Sequence, residues 1–302
     1  MKRRNARYIP LYLMMLPGLA YLFINNYVPM LGISIAFKQV NYRVGILKSP
    51  FVGLKNFKFL FQSSDAFIIT RNTICYNLVF LVLTPIIAIA VAILLNEIKN
   101  KFAKKSYQTI ILMPYLISIV VVSYLVYAFL ATDTGFLNKS ILEKLGKDGI
   151  SWYSTAKYWP FILILVALWK GFGYSTIIYF ATIVGIDKAY YEAAAIDGAT
   201  RWQRVTHVTL PALKSTIITL TLLGIGRIFN SDFGLFYQVP MNSGPLLNAT
   251  NTIDTYVYRG LLQSNNVGMS SAAGFYQSMV GFILVLTANY VISKISKEDS
   301  LF

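Results

Sequence analysis

Between two long apolar runs lies the stretch Asp187-Lys-Ala-Tyr-Tyr-Glu-Ala-Ala-Ala-Ile-Asp-Gly-Ala-Thr-Arg-Trp-Gln-Arg-Val-Thr-His-Val-Thr-Leu-Pro211. Asp187 suits an N-cap, Ala189 to Ile196 are strong helix formers, and Gly198 stands where a C′ glycine would end a helix. Thr200-Arg201-Trp202-Gln203 then fits a capping box, with Thr at the N-cap and Gln at N3. The spacing predicts two short helices meeting at a sharp turn. Tyr190, Tyr191, Ala194 and Ile196 on the first and Trp202 and Val205 on the second are too few apolar side chains to make a core. The hairpin must therefore lean on another surface, and the flanking runs suggest that it hangs between membrane spans.

Working outward, runs of the ~20 apolar residues that a hydrocarbon core ~30 Å thick requires occur six times. They are Ile9 to Phe37, Thr73 to Leu95, Tyr107 to Ala131, Trp159 to Val184, Pro211 to Asn230 and Ala272 to Ile295. The first is longer than one span needs and is interrupted by Pro17, Asn25, Asn26 and Pro29, which predicts a kink or tilt. The fifth opens on a proline, favoured at a helix start. Lys2, Arg3, Arg4 and Arg7 ahead of the first run would also suit a signal peptide. No clear small-x-small cleavage site follows, and the segment reads as a retained anchor. The expected fold class is thus all-α: a polytopic membrane protein with six transmembrane helices, residues 1–302 forming a single domain.

Six spans put both termini on one side. With the N-terminus inside, the inner segments carry 14 Lys and Arg in roughly 58 residues and the outer loops 11 in roughly 103. That twofold difference in density, with clusters abutting spans at the N-terminus and at Lys99 to Lys105, places both termini and the 187–211 hairpin in the cytoplasm. Outside, Gly53 to Phe61 alternates lysine with aromatics and suits either an interfacial helix with snorkelling lysines or, the reading favoured, a solvated loop helix packed on the outer rim. The polar loop from Ser231 to Ser271 is the longest exposed segment and the natural contact for an external partner.

Composition agrees and excludes other classes. The chain is 56% hydrophobic and only 13% charged, and with its 19 Gly the apolar share is about 62%, above the ~45–50% of soluble domains. A net charge of +15 sits in short clusters between apolar runs rather than in the dense patches of a nucleic-acid-binding domain. One cysteine, Cys75, and one histidine, His207, allow neither a disulfide nor a Cys/His metal site. No G-x(4)-G-K-[ST] stretch is present to cradle phosphates, so ATP hydrolysis by that route is excluded.

Glu192-Ala193-Ala194, followed by Asp197-Gly198-Ala199 and then by Leu210-Pro211 ahead of the penultimate span, resembles the EAA loop of binding-protein-dependent ABC importer permeases. Leu168-Trp169-Lys170, Asp254 to Arg259 and Ala288-Asn289-Tyr290 resemble the carbohydrate branch of that family, the lipoprotein-type and aldouronate-type permeases of Gram-positive bacteria. Val205 departs from it, standing where many relatives carry an aromatic. The resemblance implies a type I importer permease in a bacterial plasma membrane, working with a homologous second permease, two cytoplasmic ATPase subunits and an extracellular solute-binding lipoprotein. ATP and Mg²⁺ would bind the ATPase subunits and no cofactor would bind this chain, which is expected to be non-catalytic. It also implies that Glu192, Ala193, Ala194, Asp197, Gly198, Ala199, Leu210 and Pro211 make up the ATPase-coupling element.

Lys170 lies about ten residues into the fourth span, ~15 Å deep at 1.5 Å per residue. An ionised lysine there must face protein or water, and no acidic residue stands at matching depth. Carbonyls, water in the pathway or a second subunit are the remaining partners, whether it borders the path or pins the Gly171/Gly173 stretch. Arg227, near the end of the fifth span, reads as a snorkelling cation. A neutral polyhydroxylated cargo would ask for aromatic faces to stack upon, for which Trp169, Tyr174, Tyr179, Phe233, Tyr237 and Tyr276 are the candidates among 45 aromatics. Gly274, Ser278 and Gly281 lay a small-residue stripe along the sixth span, a pattern of close helix packing within the chain or across a dimer interface. The alternative, a secondary transporter driven by an ion gradient, would want intramembrane carboxylates, and none stands well inside a span.

Overall fold

Proline and asparagine decide the first span. In the computed structural model, which describes residues 8–46 and 48–295, helix α1 (Ile9–Leu22) runs into a π turn at Phe23–Tyr27 and then a 3₁₀ stretch at Val28–Phe37. Pro29 has no N–H to give and its ring crowds the carbonyl one turn back, so the helix widens just before it. The Asn25 and Asn26 amides donate to the carbonyls of Tyr21 and Leu22 at 2.9 and 3.1 Å. The cluster Lys2 to Arg7 lies outside the described residues.

The main helices that follow are α2 (Lys55–Gln62), α3 (Ser64–Glu97), α4 (Lys101–Leu116), α5 (Ile119–Leu130), α6 (Trp159–Val184), α7 (Lys188–Ile196), α8 (Arg201–Arg204), α9 (Leu210–Ile225), α10 (Ile253–Leu262) and α11 (Val267–Ile295), with short π, 3₁₀ and α turns between them. Among the described residues the only β-pairing is an isolated bridge between Lys38 and Phe51. Among the described residues, five helices are long and apolar enough to cross a membrane, and a sixth crossing exists if α4 and α5 count as one.

Three expectations need correction. The run Tyr107 to Ala131 is not one helix: α4 and α5 meet at 92°. Pro114 sits in the last turn of α4, Ile117 turns extended, and the Ser118 hydroxyl caps the new helix at the Val120 N–H. The fifth span does not open at Pro211 but continues from Arg201 through a π turn at Val205–Thr209, and it stops at Ile225 before Gly226 rather than at Asn230. The loop 231–271 is not an exposed strap: Leu235, Phe236, Val239, Leu246 and Ile253 are buried in it. Its polarity misleads because those polar groups bind one another, Asp254 accepting from the Ser231 N–H at 2.6 Å and its hydroxyl at 2.8 Å.

The chain divides into two units, residues 1–66 with 257–276, and 67–256 with 277–302. In the first, Phe37 packs with Phe51, Phe57 and Phe275 at ring separations of 5.2 to 6.2 Å. The Asn56 amide ties α2 down through the carbonyls of Ala36 and Lys38, at 2.8 and 3.0 Å. In the second, Tyr76, Val122, Trp159, Leu163, Phe236 and Val239 form one core and Ala88, Ala92, Tyr179, Ile183 and Leu213 another. Gly173 lets α6 cross α4 so closely that a Cβ there would strike the Ile111 carbonyl. Gly281 of the small-residue stripe packs on Phe229. Outside the spans, burial pushes the Tyr153 phenol above its ordinary value, so it remains a donor toward the Val239 carbonyl, 3.4 Å away.

Candidate functional site

The hairpin forms as its residues dictate. Asp187 accepts from the Ala189 N–H at 2.9 Å and starts α7. At its end the Ala199 N–H reaches the Ala194 carbonyl at 2.9 Å and the Gly198 N–H reaches Ala195 at 3.1 Å, the two bonds of a Schellman motif. Gly198 takes φ +75°, the left-handed conformation such a motif requires of its C′ residue. Thr200 and Gln203 close the capping box, and the Tyr191 hydroxyl bonds Thr209 at 2.9 Å across the hairpin's base. Glu192, Ala193, Asp197 and Gly198 are exposed and Ala194 and Ala199 half-buried. Two large apolar side chains also stand in the open, Ile196 at 87% and Trp202 at 73% exposure. Leu210 and Pro211 follow the π turn, at the start of α9. Under the hairpin, Asn96, Glu97, Tyr191, Arg201 and Arg204 line a small cavity of about 30 Å³.

A second feature opens among α3, α6 and α9: a cleft of about 380 Å³ lined by Asn77, Thr84, Tyr174, Ser175, Tyr179, Thr221, Arg227 and Asn230 among apolar neighbours. Its lining contains no carboxylate. Of the aromatics singled out from the sequence, only Tyr174 and Tyr179 reach it. The Tyr179 hydroxyl is buried and has no hydrogen-bond partner among the described residues. Trp169 instead lines an apolar groove with Val122, Phe129 and Leu165. Phe233 and Tyr237 stack on each other at 4.9 Å, and Tyr276 meets Phe61 edge-on at 5.3 Å in the first unit. Asn77 was missed, although a polar residue inside an apolar run was its signal. Its amide serves the carbonyls of Ile228 and Asn230, at 2.9 and 3.0 Å, just past the end of α9. Arg227, exposed two residues past the end of α9, also lines the cleft.

Lys170 takes the first of the partners open to it. Its ammonium donates to the carbonyls of Ile117 at 2.6 Å, Tyr115 at 2.9 Å and Pro114 at 3.5 Å. These are the carbonyls at the C-terminal end of α4, where the helix dipole is negative and backbone acceptors lack helical partners. Three donors on three acceptors satisfy the ammonium without a counter-charge.

Apolar helices around a polar cleft, with a hairpin projecting between two of them, define a membrane transport protein of the permease class. Residues 85–291 match the family described as binding-protein-dependent transport system inner membrane component, and the chain belongs to that family. It is 37% identical over 291 residues to protein LplB of Bacillus subtilis, covering 95% of this chain and 90% of that one. It is 39% identical over 293 residues to the polygalacturonan/rhamnogalacturonan transport system permease protein YteP of the same organism, covering 95% and 89%. Its fold is similar to a chain of a bacterial ABC transporter involved in the import of the acidic polysaccharide alginate, with TM-score 0.88, 33% identity and coverage of 97% and 98%. The chain is thus a multi-pass membrane component of a transport system and not an enzyme, and the ion-gradient alternative has no support.

Proposed function

We propose that this chain is the permease of an ATP-driven importer that carries an oligosaccharide delivered by an extracellular solute-binding protein. The observation that carries the reading is the hairpin: a tightly specified turn that holds Ile196 and Trp202 in solvent has the form of a surface waiting for a partner. That partner is a cytoplasmic ATPase subunit, which binds the ATP and Mg²⁺; this chain binds neither. Glu192, Ala193 and Ala194 present the docking face, Asp197-Gly198-Ala199 makes the turn, and Leu210-Pro211 joins it to α9. A homologous second permease completes the pathway, and residues 1–302 act as one permease domain.

The cleft supports the cargo. Aromatic faces at Tyr174 and Tyr179, with Asn, Ser and Thr side chains beside them, suit the apolar faces and hydroxyls of sugar rings. Arg227 adds a fork matched to carboxylates, so carboxylated sugars suit the cleft better than wholly neutral ones. YteP is named for polygalacturonan and rhamnogalacturonan, and the matched importer for alginate, in keeping with that choice. A strain lacking this chain should lose uptake of at least one complex-glycan oligosaccharide and keep normal amino-acid uptake. Loss of amino-acid or metal uptake with every glycan still carried would refute the assignment.

A further inference from the structure

Lys170 does more than satisfy a stranded charge. The carbonyls it holds belong to the residues that carry Tyr115 into place. The centre of the Tyr115 ring lies 5.7 Å from the Lys170 ammonium, and the ring stacks on Tyr174 at 4.9 Å with the ring planes 18° apart. Tyr174 stands one turn beyond Lys170 on α6 and lines the cleft. A chain of direct contacts therefore runs from the break between α4 and α5, through one cation, to the cleft's aromatic wall.

We propose that Lys170 is a positioning residue for the cargo site: by clasping the end of α4 it fixes the Tyr115–Tyr174 stack, and so the aromatic face offered to a sugar ring. The proposal rests on the cleft being the oligosaccharide path. Beside Tyr115, the Ile117 N–H reaches the Pro114 carbonyl at 3.3 Å and Ile117 and Ile119 pack on the core, while Lys170 is the group that reaches the Tyr115 carbonyl itself. Gly173 on Ile111 sets how close the two helices come, three residues before Pro114, and Lys170 ties down the carbonyls on either side of the α4 end. Loss of the clasp takes the charged donor away from the carbonyls of Tyr115 and Ile117, and the segment re-forms its hydrogen bonds by changing its path. The Tyr115 ring moves with it and Tyr174 loses its backing.

The test uses the assembled transporter in proteoliposomes, with the binding protein saturating and fixed, and a panel of arabinan, polygalacturonan and alginate oligosaccharides as cargo. The measurement is cargo-stimulated ATP hydrolysis, separated into KM for the cargo and kcat. Lys170→Met should raise KM about tenfold with kcat within about twofold, and Lys170→Arg should restore most of it, since a guanidinium can also donate to clustered carbonyls. Tyr115→Leu should raise KM alike, and the double variant should be no worse than the worse single one, as expected for two residues acting through one element. Should Lys170→Met fail to fold, Lys170→Arg and Tyr115→Leu still decide. An unshifted KM in Tyr115→Leu, or a Lys170→Met complex that loses kcat and melting temperature with KM unmoved, would overturn the proposal and leave Lys170 a structural pin. Failure of the oligosaccharide reading itself looks different: no member of the panel would then stimulate even the wild-type complex.

Discussion

Gly198 offers a graded test of the coupling hairpin. Its φ of +75° lies where a side chain is disfavoured, and nothing stands within 4 Å of a Cβ built there. Substitution therefore adds no packing clash, and the whole penalty is conformational. An L-residue in the left-handed region costs about 1–2 kcal/mol, and a β-branched one about 3 kcal/mol. At 1.36 kcal/mol per tenfold, Gly198→Ala should deplete the competent turn by roughly tenfold and Gly198→Val by a hundredfold or so. Asparagine tolerates this conformation, so Gly198→Asn should stay within about threefold of wild type. The readout is cargo-stimulated ATP hydrolysis by the assembled transporter in proteoliposomes, with complex assembly checked by co-purification. The expected order is Gly, Asn, Ala, Val, with protein yield unchanged because the turn is exposed. Wild-type stimulation in Gly198→Val, or an order that follows side-chain size rather than tolerance of positive φ, would refute the reasoning.

Other outcomes can be checked independently. Arg227→Gln should cut uptake of polygalacturonan oligosaccharides about tenfold, the scale of a lost charge-assisted hydrogen bond, and change uptake of their carboxyl-reduced counterparts less than about twofold; an equal effect on both removes Arg227 from cargo recognition. Gly173→Val would drive a side chain into the Ile111 carbonyl and should destabilise the α4–α6 crossing by about 1–3 kcal/mol, seen as a lowered melting temperature in detergent; an unchanged melting point would mean that the helices are not held this close. In a Cys75→Ser background, needed because Cys75 is exposed, a cysteine at Ser264 should react with an impermeant thiol reagent from outside intact cells and one at Lys101 should not; the reverse reverses the orientation.

The sequence was legible where local chemistry is decisive. The hairpin from Asp187 to Gln203 was readable cap by cap because each signal, Asp187, Gly198, Thr200 and Gln203, acts within four residues of itself. Apolar runs marked the spans but not their ends. Helix α3 covers 34 residues, ~51 Å at 1.5 Å per residue, against the 23 expected, because polar residues at its ends extend the helix beyond the hydrocarbon. The 92° break in the third span was hidden because Pro114 and Ser118 interrupt neither hydrophobicity nor length. The cleft was legible only in part. Tyr174 and Tyr179 reach it and Trp169 does not, since which face of α6 looks inward is set by packing partners far away in the chain.

One pattern connects several of the amides and the lysine that the apolar runs contain. Asn25 and Asn26 serve carbonyls one turn back, where α1 widens ahead of Pro29. Asn77 serves carbonyls past the end of α9, Lys170 those at the end of α4, and Gln277 the Phe229 carbonyl at 2.7 Å together with Asp254. In each case a helix ends or deforms in or beside a span, and the side chain takes up backbone carbonyls that regular helix no longer serves. The side chain and the break therefore need each other: Lys170 would be a stranded charge without the open end of α4, and that end would be unsatisfied without Lys170. Polar residues inside apolar runs thus mark helix breaks elsewhere in the fold, and two of these breaks, at residues 114–118 and 226–230, adjoin the cleft through Tyr115–Tyr174 and Arg227–Asn230. The irregular backbone at these two breaks thus places a guanidinium and the backing of an aromatic face beside one cleft in an otherwise apolar bundle.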